Sequence, residues 1–155
     1  MVKFIFFSVA ILGLFIAFKF KGVFHKIISI GLFISALFLW TGGAHFTLTI
    51  CLLSIATFLY GLIINELDTL EKTCILLISG LLAVRLVIKL MALPFAGLTG
   101  IMKLSMCVPI LLTFAVFIRN RKLTREMSFM FYWLLYALYE FYVVLEYWED
   151  FRLIV

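Results

Sequence analysis

The chain has 155 residues, 66% of them hydrophobic and 14% charged, with a formal net charge of +5. Soluble globular chains carry roughly 45–50% apolar and about 25% charged residues, and a small globule has too little interior to hide this much apolar surface. A soluble enzyme, a nucleic-acid reader and a secreted disulfide scaffold are thereby excluded, and at about 20 apolar residues per span the length allows six membrane crossings at most.

Six helices are predicted, in one transmembrane domain over residues 1–155. In hydrocarbon the backbone must satisfy its own hydrogen bonds, and these apolar runs are too continuous for barrel strands, so the expected fold is an all-α, six-span bundle with short loops. The first span covers about 4–18. Met1-Val2-Lys3 ahead of an apolar run has the outline of a signal peptide, but Lys19-Phe20-Lys21 follows it instead of a small-residue cleavage site, so it reads as a retained span whose lysines snorkel. The second, about 27–41, is entered through His25-Lys26 and stopped by Gly42-Gly43. The third covers about 45–64 and the fourth about 73–91. The fifth, about 97–118, follows Leu93-Pro94, and the sixth covers about 127–148.

Local chemistry refines these elements. Pro94 lacks a donor and disfavours helix at Leu93, and Gly97 weakens a helix interior, so a helix break is predicted within 92–97. Pro109 predicts a kink in the fifth helix. Small residues make close-packing faces: Ala10, Gly13 and Ala17; Gly31 and Ser35; Ser54, Thr57 and Gly61. Cys51, Cys74 and Cys107, an odd count without a CxxC, read as buried thiols. The stretch from Lys89 to Gly97 resembles the Lys-x-Met-His-x-Pro-Gly-Ala inter-span turn of small bacterial inner-membrane proteins, gliding-motor stator subunits among them. It has Ala92 and Phe95 in place of the His and the Gly, and the resemblance implies no activity for this chain.

Orientation follows from Lys and Arg. One side carries Lys19, Lys21, Lys26, Lys72, Arg119, Arg121, Lys122 and Arg125; the other carries Lys3 and Arg152, with Arg85, Lys89 and Lys103 within or at the ends of spans. The positive-inside rule puts the first group in the cytoplasm and both termini outside. Arg119, Arg121, Lys122 and Arg125 form the strongest determinant. Their other reading is a site for anionic lipid or a cytoplasmic partner.

Ionisable groups inside a span are costly and mark candidate sites. Counting helical rise from Thr73 and Met127 puts Arg85 about 18 Å, Lys89 about 24 Å, Glu140 about 20 Å and Glu146 about 28 Å into their spans. Lys103 lies roughly 9 Å below the opposite end of the fifth span. These five therefore form an intramembrane polar layer at matched depth, with Glu140 expected to pair with one of the three cations. Tyr132, Tyr136, Tyr139, Tyr142 and Tyr147 add hydroxyls that hydrogen-bond carboxylates without adding charge. Such a layer locks helices together, carries a proton or ion, or meets a neighbouring subunit.

No catalytic residue, metal site or cofactor is expected. His25 and His45 stand at opposite ends of the second span, roughly 30 Å apart, so one chain cannot bring both to one haem iron. There is no metal-ligand spacing, no His-Glu-x-x-His, no P-loop and no GxGxxG. The absence of a soluble domain, the 18 Phe residues and the single visible helix break favour a non-enzymatic integral subunit of a larger complex in a bacterial-type inner membrane. Its expected partners are the lipid bilayer and other membrane subunits, with no nucleic acid. The alternative is a small ion- or proton-coupled channel or transporter using Glu140 with Arg85, Lys89 and Lys103; the third reading is a membrane immunity or lysis-control protein.

Overall fold

The structure is a computed structural model and describes residues 2–41, 43–91, 104–120 and 124–146. Among these residues all regular structure is α-helical: α1 Val2–Lys19, α2 Phe24–Thr41, α3 Gly43–Ile63, α4 Thr69–Leu90, α5 Cys107–Arg119 and α6 Met127–Glu146. Pro94, Gly97, Lys103, Arg121 and Lys122, and the break expected within 92–97, lie outside the described residues; of Glu146 only the backbone, at the end of α6, is described.

Four helices, α1 to α4, are long and apolar enough to cross a membrane. Their ends have local causes. Between α1 and α2 the chain reverses at Gly22, whose φ of 132° is open to glycine and strained for other residues. The reversal is closed by buried His25, whose Nε2 donates at 3.1 Å to the Ala17 carbonyl, which also accepts from the Phe20 amide at 3.4 Å. Asp68 caps α4 by accepting from the Leu70 amide at 3.1 Å, which starts the helix four residues ahead of the predicted Thr73.

Of the run expected over 97–118, residues 104–118 are described and are helical apart from an interruption at Met106. Residues 104–105 are helical, Met106 is a turn, and α5 starts afresh at Cys107. Met106 keeps helical dihedrals (φ −61°, ψ −18°), so the interruption is confined to one residue, just upstream of Pro109, where a proline disturbs a helix. Helical bonding resumes across the proline, with the Ile110 amide donating to the Met106 carbonyl at 3.1 Å. The 13 residues of α5 reach roughly 20 Å, short of the ~30 Å hydrocarbon core.

The helices alternate in direction. One end of the bundle gathers Lys19, Phe24, Ile63, Thr69, Arg119 and Met127 (the Arg119 end); the other gathers Val2, Thr41, Leu90 and the end of α6 (the Lys89 end). Around the bundle α1 packs on α2, α2 on α3, α3 on α4 and α4 on α5, while α6 packs on α1, α2, α4 and α5 at once. Helix α6 is the central post. Phe129, Met130, Tyr132, Trp133 and Ala137 are almost wholly buried. The closest approach is at Gly13 of α1, where a Cβ would sit 2.2 Å from the Ser128 carbonyl oxygen of α6. The other small faces serve the same purpose: Ala10 and Ala17, Ser35, and Ser54 with Thr57 are buried at helix contacts.

Candidate functional site

At the Lys89 end, α4 and α6 each present one buried charge to the other. Arg85 and Glu140, exposed by only 6% and 5%, form an ion pair between Arg85 Nη1 and Glu140 Oε1. The contact is not an aligned hydrogen bond, and that Nη1 has no other acceptor among the described residues. Tyr136, one turn before Glu140, lies within side-chain reach of both charges. Either ion alone would be costly here, so the pair is what lets both stay in the bundle.

Lys89 is one turn beyond Arg85 on the same face but does not join the pair. It lines a cavity of about 640 Å³ at this end, together with Lys3, Tyr139 and the pair's Glu140. Phe6, Leu39 and Phe46 supply apolar wall. Of the predicted polar layer, then, the structure brings together Arg85 and Glu140 and sets Lys89 at the cavity beside them.

Below that layer the polar tips of α6 find hydroxyls on the surrounding helices. Trp133 Nε1 donates to Thr57 Oγ1 at 3.2 Å, and the Tyr132 hydroxyl meets Ser35 Oγ at 3.5 Å. Thr57 and Ser35 in turn donate to the carbonyls of Leu53 and Leu32 at 2.7 and 2.8 Å. Cys51 and Cys74 are buried, and Cys74 Sγ lies 2.9 Å from Thr113 Oγ1. Cys107 corrects the expectation of buried thiols: it opens α5 on the outside of the bundle and is exposed.

The Arg119 end holds a second charged cluster, one that a count of Lys and Arg alone passes over. Arg119 pairs with Asp68, and Arg125 bridges Glu66 at 2.9 Å and Glu126 at 2.5 Å. Buried Glu126 also accepts from the Tyr60 hydroxyl at 3.1 Å, and Asn120 donates to Glu71. The hydrogen bond from Arg119, backed by the Leu70 amide, holds the Asp68 carboxyl below the usual carboxylate range. The carboxylate of Glu126, with Glu66 behind it, holds Arg125 still more firmly in its charged form. The signal for this cluster was present as acids at 66, 68 and 71 facing a basic loop across the same end. Among the described residues no group of three or more His, Cys, Asp or Glu could hold a metal ion.

Long apolar helices, small-residue helix contacts and mutually neutralised charges inside the bundle define a multi-pass helical membrane protein. No family model, curated protein or solved structure matches the chain.

Proposed function

We propose that the protein is a non-enzymatic integral subunit of a larger complex in a bacterial-type inner membrane, where it acts as a packed helical scaffold. The observation that carries this reading is the solid centre of the bundle. Phe129, Tyr132 and Trp133 of α6 fill the space between the two charged ends and are exposed by at most 1%. Their polar tips are spent on Ser35 and Thr57, and the intramembrane charges Arg85 and Glu140 are spent on each other. A working pore or carrier keeps its charges toward a wet path; this arrangement favours a structural use. Affinity purification in mild detergent should yield a stoichiometric membrane partner, and liposomes holding this chain alone should pass no ions or protons. A single, partner-free species would count against the reading.

One observation favours a second reading, a small ion- or proton-coupled transporter: the cavity at the Lys89 end reaches Glu140 itself. In that case liposomes with the chain alone conduct protons, and Glu140→Gln abolishes the flux while the protein still folds.

A further inference from the structure

The cavity at the Lys89 end carries chemistry that the ion pair does not use. Lys3 stands in the first turn of α1 and Lys89 in the last turn of α4, and neither makes an ion pair with a described residue. The cavity's one carboxylate, Glu140, is already engaged by Arg85. Among the described residues it therefore offers two cations and no free anion. Both lysines stand in terminal turns of their helices, and Phe6, Leu39 and Phe46 supply apolar wall beside them. A volume of about 640 Å³ falls within the range of small-ligand sites, roughly 300–1,000 Å³.

We propose that this cavity binds an anionic amphiphile, a phosphate ester on an acyl or prenyl chain, with the phosphate held by Lys3 and Lys89 and the chain laid against Phe6, Leu39 and Phe46. Tyr139 lines the same cavity and adds a hydroxyl donor to it. Selectivity follows from the charges. A choline or ethanolamine headgroup brings an ammonium that needs a carboxylate, and Arg85 occupies the only one among the described residues that line the cavity. An anionic headgroup needs none. This proposal goes beyond the scaffold reading and does not depend on it, because lipid is present with or without a partner subunit.

The test is photo-crosslinking of the full chain in bilayers with a chain-labelled phosphatidylglycerol probe, compared with a phosphatidylcholine probe of the same chains, and mapped by peptide mass spectrometry. The anionic probe should label the start of α1, the end of α2 and the start of α3 roughly tenfold more than the zwitterionic one. The double variant K3Q/K89Q should remove that preference, while labelling near Lys19, Lys21 and Lys26 at the other end stays unchanged. Leu39→Trp, which fills the wall and leaves both lysines in place, should also lower the labelling. Unlabelled phosphatidylglycerol should compete, and millimolar inorganic phosphate should not. Equal labelling by the two probes, a K3Q/K89Q variant that keeps its preference, or displacement by inorganic phosphate would each overturn the assignment of a lipid phosphate to this cavity.

Discussion

Arg85 and Glu140 are not equivalent members of their pair. A carboxyl left alone in an apolar site can take up a proton and become neutral, whereas a guanidinium cannot lose one under these conditions. Glu140→Gln therefore strands a buried cation and should destabilise by roughly 3–5 kcal/mol. Arg85→Met should cost clearly less. Replacing both, Arg85→Met with Glu140→Leu, should recover most of the loss, since well-packed apolar residues often substitute for a buried pair without penalty. Unfolding of the four proteins in the same detergent checks this: equal losses for the two single variants would refute the asymmetry, and a double variant no more stable than Glu140→Gln would show that the pair is not the origin of the cost. At the other end, Asp68 gives a pH effect with a defined sign. Its carboxyl titrates below the ordinary value of 3.8 because Arg119 holds its charged form, so its contribution is present at neutral pH and is lost as pH falls through that folded value. Asp68→Asn should abolish the contribution at neutral pH and flatten the acid limb of stability below about pH 4. An unchanged acid limb would show that the Asp68–Arg119 contact is too well solvated to matter.

At the level of elements the contact surfaces differ in what can yield. Adding a Cβ at Gly13 meets a backbone carbonyl of α6 at 2.2 Å, and backbone can move only if the helices part. At Gly31 the Cβ meets the Leu53 side chain at 2.5 Å, which can change rotamer. Gly13→Ala should therefore destabilise by roughly 1–3 kcal/mol, and Gly31→Ala by distinctly less; thermal melts of the two variants decide the ranking. The small-residue face that holds Gly13 was legible from sequence because glycine and alanine at helical spacing have few other uses inside a bilayer. The role of α6 was not. Its tyrosines and Trp133 match an interfacial helix equally well, and only the packing shows that Tyr132 and Trp133 sit in the centre with Ser35 and Thr57 as partners. The Glu140 pairing followed from depth, since helical rise is nearly constant; the choice of Arg85 over Lys89 did not, because two residues on one face differ only in how far they lie from the helix end. The interruption at Met106 is hidden in an apolar run, and Pro109 three residues on is the signal for it.

For the whole molecule the arrangement of charge makes a topological prediction that the cluster at the Arg119 end sharpens. Lys19, Lys21, Lys26, Lys72, Arg119 and Arg125 gather there, but so do Glu66, Asp68, Glu71 and Glu126, several of them in direct pairs with those arginines. With Arg121 and Lys122 of the same loop, this end has eight Lys and Arg against four acids, so the acids reduce its positive excess without removing it. The orienting force counts Lys and Arg near the ends of spans and gives acids little weight, so this end should still face the cytoplasm. Thr41 and Asn65 provide the test. They are separated by α3, whose 21 residues rise roughly 30 Å, one full crossing. In a Cys107→Ser background, in which the remaining Cys51 and Cys74 are buried, Thr41→Cys should react with a membrane-impermeant thiol reagent on intact cells. Asn65→Cys should react only after the membrane is opened. The pattern should survive Glu66→Gln combined with Asp68→Asn, because removing acids leaves the Lys and Arg count untouched. Reaction of both cysteines from the same side would mean that α3 does not cross, and a reversed pattern would mean that the Lys and Arg of this end do not set the orientation.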